Sequence, residues 1–571
     1  MGAGLPTEVI DKLLALLSRH HAVRRDTLAQ LSNCEMSSLS LKGCRGVDDA
    51  WLQPLAPSHD GGSGSCSSGG AAANITALEL PNCRRLTSAA VTRLGPLPYL
   101  RSVNLRHCHS LDSAALCALA ACPLLTSLNA AHIRTLGDDA LEALAQAAAL
   151  RELDLEGCHA ITDAGVAHIA RLTNLRRLNL AQCHGLTQRG VDLLAPVAAS
   201  ALEELSLGWC RGLAPPQQRS PPPPAPAAPR PLQPLGVKLP PAPRLTSLTL
   251  AATGLTDAGL AALCAAAPAL TRLSLSQCML LTDRGAAGLA DGLPSLTDLD
   301  VSRCARVARV APPPPRLRAL ALGGGAAASA DLVAMARDSD GLRGVTALSV
   351  AGCARVDDGC ARALAALPAL ARLDARDTAL TSAGLARVVS GCAGRSLRAL
   401  DVCFCSIGNA GLAALSVAAA GLTELRLDSR EATDAGVAHL SKLAGLRVLH
   451  LGSTSVSDDA IVGTISNLRA LESLEICSGR VTDRGAAALA PLARLRHLDL
   501  SQNAHVTSAA APHIAALSAL TSLNLSRTSV ARGAVPHLAR LARLESLALF
   551  GCGVPRAPLC AALPALQALK A

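Results

Sequence analysis

The chain has 571 residues, a formal net charge of +10, 50% apolar residues and 1% aromatic residues. Its Lys and Arg side chains are scattered among 43 acids with no basic run interleaved with aromatics, so neither composition nor spacing points to a nucleic-acid partner. No stretch is uniformly apolar over the ~18 residues that crossing a bilayer needs, so no membrane partner is expected either.

Residues 1–35 carry an apolar stripe at helical spacing, namely Leu5, Val9, Leu13, Leu14 and Leu17. The stripe predicts a helical element, either a cap over the edge of the adjoining fold or a docking module. The opening MGAGLPTEVIDKLLALLSRHH lacks the basic start and sustained apolar core of a secretion signal. Pro6 stands where N-myristoylation requires Ser or Thr. A reducing, cytoplasmic setting with free thiols is the expectation, with the nucleus or a ciliary axoneme as alternatives.

From residue 36 onward one unit recurs. In LRELDLEGCHAITDAGVAHIARLTN (150–174), Leu153 and Leu155 alternate with Glu152, Asp154 and Glu156, the period-2 pattern of a half-buried strand. Thr162-Asp163 supplies a hydroxyl to cap a helix and a carboxylate for its positive end. Val166, Ile169 and Leu172 then fall at helical spacing. The first apolar mark recurs at Ile75, Leu100, Leu125, Leu150 and Leu175, and continues with small irregularities to Leu544, giving about twenty units. A period in the 20–29 range with L-x-x-L-x-L is the signature of leucine-rich repeats. One unit cannot bury its own apolar face, so layers must stack. The expected fold is an α/β leucine-rich repeat solenoid, a right-handed horseshoe with parallel strands on the concave face and helices on the convex face.

Two inserts interrupt the repeats. PSHDGGSGSCSSGGAAA (57–73) is too rich in Gly and Ser to offset its ordering entropy. Residues 214–243 are Pro-rich, with P-x-x-P matches such as Pro231 to Pro234. The organisation read from the sequence is a 1–35 cap or degenerate docking module, repeat block 36–213, Pro-rich insert 214–243, and repeat block 244–571 closed by a short helical cap near Leu559–Leu569. Within the second block, RVARVAPPPP and ALGGGAAASAD break the pattern, so loosening is expected around 305–330.

Stacking turns each repeat position into a column. Eleven of 21 cysteines share one position, among them Cys108, Cys158, Cys183 and Cys210. A straight row of thiols cannot converge on zinc, so burial at the strand-to-loop turn is expected. The Thr-Asp column (Thr162-Asp163, Thr256-Asp257, Thr282-Asp283, Thr482-Asp483) offers one carboxylate per layer, too few oxygens for calcium, and reads as helix capping. The third column faces outward from the strands and includes Asn104, Asn129, Asp154 and Asn179, with Arg151, Arg176 and Arg177 beside it. These seven are the candidate partner-binding face. No nucleophile–base pair and no phosphate loop is present in the pattern. A protein that binds another protein, without catalysis, metal or cofactor, is expected.

The units LEGCHAITDAGVAHIA and LSQCMLLTDRGAAGLA resemble the cysteine-containing repeats of F-box/LRR proteins. LDSREATDAGVAHLSKL is similar to a plant and green-algal F-box/LRR-like family, and LPTEVIDKLLALL resembles the opening of an F-box. The resemblance implies a ribonuclease-inhibitor-like fold. It also implies substrate recognition for an SCF-type ubiquitin ligase, with a Skp adaptor at the N-terminus. The chain departs from that pattern in having about 35 residues before the repeats and no Trp in the expected second half of the module. A ligase-independent scaffold, cytoskeletal or ciliary, stands as the other reading.

Overall fold

A computed structural model describes residues 7–19, 23–31, 36–44, 46–56, 74–214, 237–337, 342–554 and 568–570. The insert 57–73 and most of the Pro-rich segment, 215–236, lie outside the described residues. The chain divides into two compact units, Met1–Leu296 and Thr297–Ala571.

In the first unit nine strands, from Ser38–Ser40 to Arg272–Ser274, run parallel among the described residues. Most are three residues long, because only the L-x-L core of each unit alternates strictly. Register is fixed by those leucines: Leu128 pairs with Leu153, and Leu153 with Leu178. A slip of one residue would turn each leucine outward. Leu150, Leu153 and Leu155 are all at most 2% exposed, as are Val166 and Ile169 from the next helix. Burying each Leu side chain is worth about 1.5–3 kcal/mol, repeated layer after layer. Strand and helix therefore clamp one thin apolar sheet between them, the leucine-rich repeat solenoid that the period predicts.

Ahead of the first strand, helix Thr7–Arg19 buries Ile10 and Leu14. The Asp11 carboxylate accepts the backbone N–H of Ser37 (3.0 Å) and of Ser38 (3.3 Å), and the Ser37 hydroxyl. The helix thus satisfies donors at the start of the first strand and covers that layer. The same helix leaves Val9 and Leu13 exposed, at 45% and 38%.

The second unit carries twelve parallel strands among the described residues, from Asp298–Asp300 to Ala568–Lys570. Through the Pro-rich irregular stretch the strands stay in register, Leu299 with Leu320 and Leu320 with Leu348. What is lost there is a helix, and Val307 and Val310 fill its place, both buried. The expected loosening is therefore confined to the helix side. At the C-terminal end the sequence reading needs correction. Ala568–Lys570 is a strand that pairs with Ser546–Ala548, Leu569 opposite Leu547, and not part of a helical cap. The pattern of Leu566 and Leu569 repeats the first and fourth places of the unit, and that periodicity outweighs local helix propensity. Residues 555–567 lie outside the described residues.

Candidate functional site

The third column comes from the last residue of each strand. Asn104, Asn129, Asp154 and Asn179 close strands Ser102–Asn104, Ser127–Asn129, Glu152–Asp154 and Arg177–Asn179, and all four are half-buried. Each turns one side-chain oxygen onto the backbone N–H two residues ahead: Asn104 on Arg106 (3.1 Å), Asn129 on Ala131 (3.1 Å), Asp154 on Glu156 (3.1 Å) and Asn179 on Ala181 (3.0 Å). This Asx geometry ends the strand. One residue further the backbone enters the left-handed region, at His107, His132, Gly157 and Gln182. The column therefore has a structural duty before any binding duty. Asn129 also donates its amide to Asp154 (3.0 Å). Burial raises the Asp154 carboxyl above the ordinary carboxylate range, partly opposed by the Glu156 N–H.

The arginines go two ways. Arg177 lies inside its strand and reaches Glu152 (3.3 Å) and Glu204 (3.6 Å), and Arg272 also binds Glu204 (2.9 Å). Arg151 and Arg176 precede their strands and are exposed, with Arg176 on Glu203 (3.3 Å). A shallow cavity of about 360 Å³ gathers Asn129, Asp154, Arg177 and Asn179 with Glu152 and Glu204. Asn104, Arg151 and Arg176 do not line it. Glu152, Glu204 and Arg272 were missed from the sequence, although their shared place one residue before the central leucine marks them as one column. Because this column neutralises itself, a partner docking here must exchange ion pairs, not meet free charge.

Most thiols of the row are buried, while Cys44 and Cys552 near its two ends are half-buried. The Sγ–H of Cys108 donates to the Leu80 carbonyl (3.0 Å), Cys158 to Ala130 (3.3 Å), Cys183 to Leu155 (3.3 Å) and Cys210 to Leu180 (3.2 Å), each reaching into the preceding layer. Burial pushes Cys158 and Cys210 up to about 12 and Cys44 to about 11, which leaves them protonated and unreactive near neutrality. Among the described residues no group of three His, Cys, Asp or Glu side chains is placed to hold a metal ion.

The Thr-Asp column does more than cap. The Thr162 hydroxyl accepts the Ala164 N–H (3.2 Å), as a helix cap should. The aspartate one place on reaches the next layer: Asp163 accepts the N–H (2.8 Å) and hydroxyl (2.5 Å) of Thr187. Asp138 does this to Thr162, Asp257 to Thr282, and Asp458 to Thr482. The glycine placed shortly after each receiving Thr makes this fit. A Cβ on Gly190 would lie 2.3 Å from Asp163 Oδ1, and one on Gly485 would lie 2.3 Å from Asp458 Oδ1. Thr, Asp and Gly therefore form an inter-layer latch, which explains their recurrence without any ligand.

The likeness of this chain to known proteins lies in the repeat. The family model described as "Leucine Rich repeat" matches residues 149–170 and 395–416. The fold is a leucine-rich repeat solenoid. Among solved structures, one of a TLR13–ssRNA13 complex is similar over 95% of this chain and 72% of that one, at 16% identity and a TM-score of 0.43. The structure of the yeast Rad7 and Elc1 complex is similar over 91% and 87%, at 14% identity and 0.36. The plant peptide hormone receptor RGFR1 with RGF2 is similar over 84% and 78%, at 14% identity and 0.30. No curated protein matches the chain. No helix among the described residues is long and apolar enough to cross a membrane.

Proposed function

We infer that the chain is a non-enzymatic recognition subunit: its repeat surface holds a protein partner, and its N-terminal helix joins it to an SCF-type ubiquitin ligase through a Skp adaptor. Stacked leucine-rich repeats are a protein-binding architecture, and both recurring motifs, the thiol row and the Thr-Asp-Gly latch, are consumed by the fold. The observation that carries the ligase half is helix Thr7–Arg19, which buries Ile10 and Leu14 but leaves Val9 and Leu13 in solvent. Two large apolar side chains one turn apart form a small docking face. Co-purification with a Skp adaptor tests it. The wild type should associate, and Val9→Asp with Leu13→Asp should abolish association without unfolding the repeats.

The second reading is a ligase-independent scaffold, cytoskeletal or ciliary. It is favoured by the hydrogen bonds of Asp11 to Ser37 and Ser38, which occupy the same helix as an end cap. Absence of adaptor association at micromolar concentration, with structural proteins recovered by crosslinking in cells, would establish it over the first.

A further inference from the structure

One surface of the first unit is used by neither the latch nor the strand-end column. The residue after the cysteine position lies on the loop edge of each layer. In six consecutive layers it is Arg84, His109, Arg134, His159, His184 and Arg211. Every one is basic or an imidazole, and all are exposed or half-exposed. With strands ~4.8 Å apart the row runs about 24 Å.

Neighbours reinforce it. Arg106, at 42% side-chain exposure, sits within 3.4 Å of both the His107 and His132 rings. Acids lie among them: Glu156 is 3.7 Å from Arg106 and 3.6 Å from His132, and Asp154 also feels the Arg106 charge. The imidazoles are held in order. The His107 and His132 rings stack at 4.4 Å, and those of His159 and His184 at 4.6 Å. His109 and His159 each turn Nδ1 onto a carbonyl of the next layer, of His132 (3.0 Å) and Gln182 (3.1 Å). A carbonyl only accepts, so Nδ1 carries the proton and Nε2 is the remaining ring nitrogen. That nitrogen becomes an N–H donor only when the ring is charged. Burial, then neighbouring charge (His132, Arg106, His109 and Arg84), lowers His107; burial, then His159 and Arg211, lowers His184. Those two rings are biased toward the neutral form, while the arginines stay charged.

We propose that this ridge binds an extended acidic peptide segment of the protein partner, its Asp and Glu side chains meeting Arg84, Arg134 and Arg211 in turn. The proposal rests on the protein-binding reading and names the partner's chemistry. An extended chain at ~3.3 Å per residue needs about seven residues to run the row. Carboxylates suit it better than nucleic acid. Single strands are held by successive rings that stack the bases, and here His107 and His132 stack on each other, as do His159 and His184, which leaves Trp209 (48% exposed) as the outward-facing large ring of the row.

The test is fluorescence anisotropy of the full chain with a labelled peptide of about ten residues alternating Glu and Ser, and with a single-stranded oligothymidylate of similar charge. The triple variant R84E/R134E/R211E should weaken peptide binding on the order of tenfold or more. R93E/R171E/R189E, which makes the same charge change at exposed positions on the helix side, should change it less than about twofold. Raising the ionic strength from about 0.05 to about 0.5 M should weaken the wild type. Equal losses in the two triple variants, no peptide binding, or tighter binding of the oligothymidylate through the ridge would each overturn the proposal. No adaptor is needed, so its failure is separable from failure of the ligase reading. Circular dichroism confirms that both variants fold.

Discussion

Removing the Asp458 carboxylate tests the latch where it is most buried. Asp458 is 8% exposed and accepts the Thr482 N–H at 2.9 Å and hydroxyl at 2.6 Å. Hydrogen bonds to a charged acceptor are worth about 1.5–3 kcal/mol each, and donors left unpaired in the interior add a cost. Asp458→Ala should therefore destabilise its layers by about 3 kcal/mol. Asp458→Asn should cost about 1 kcal/mol, because Asn409 already plays this part towards Thr433, accepting its N–H at 3.0 Å. Gly485→Ala should be harmful in the wild type, where its Cβ would meet Asp458 Oδ1 at 2.3 Å, and milder once that oxygen is gone. The two substitutions should thus couple by at least ~1 kcal/mol. Native-state hydrogen exchange resolved to residues 448–503 is the assay, since a solenoid need not unfold in one step. Additive effects, or a loss under about 0.5 kcal/mol for Asp458→Ala, would refute the latch.

The layer packing makes three further outcomes testable. Leu153→Asp should unfold the surrounding layers, since it places an unpaired carboxylate at a site 2% exposed, whereas Cys158→Ala should cost about 1 kcal/mol, the price of a weak S–H bond and a small void; similar losses in circular dichroism melts would contradict the account of the thiol row. Thiol alkylation near pH 8 should reach exposed Cys117 in the folded chain, and Cys158, Cys183 and Cys210 only after unfolding; rapid labelling of those three in the folded chain would refute their burial. Because burial raises Cys158 and Cys210 from 9.0 to about 12 in the folded state, their stabilising contribution is complete below pH 9 and is lost as the pH rises toward 12; chemical denaturation should show that decline, and a flat profile would argue against it.

The layers were legible in the sequence because their signal is local: Leu150, Leu153 and Leu155 lie within six residues, and Thr162 caps a helix that begins at the next residue. The latch was only half legible. Asp163 reads as an acid at a helix start, while its partner Thr187 lies 24 residues on and becomes a neighbour only when layers stack. The same holds for the ridge, whose members occur once per repeat and so never form a basic run. The seven candidate residues lie on or beside their strands, but the Asx bonds of Asn104 and Asn179 to their own backbone depend on where the strand stops. Ala568–Lys570 was misread because a single short unit, seen alone, favours a helix over a strand that only a neighbour can pair.

In this architecture every repeat contributes one strand, and neighbouring strands share one parallel register. Cysteines replacing Asn129 and Asp154, direct partners across adjacent strands, should form a disulfide under mild oxidation, since strands ~4.8 Å apart suit the bond. Cysteines replacing Asn129 and Asn179, two strands apart, should not. Mapping by mass spectrometry decides it: selective linkage of the first pair supports the stacked register, and linkage of the second pair, or of neither, contradicts it.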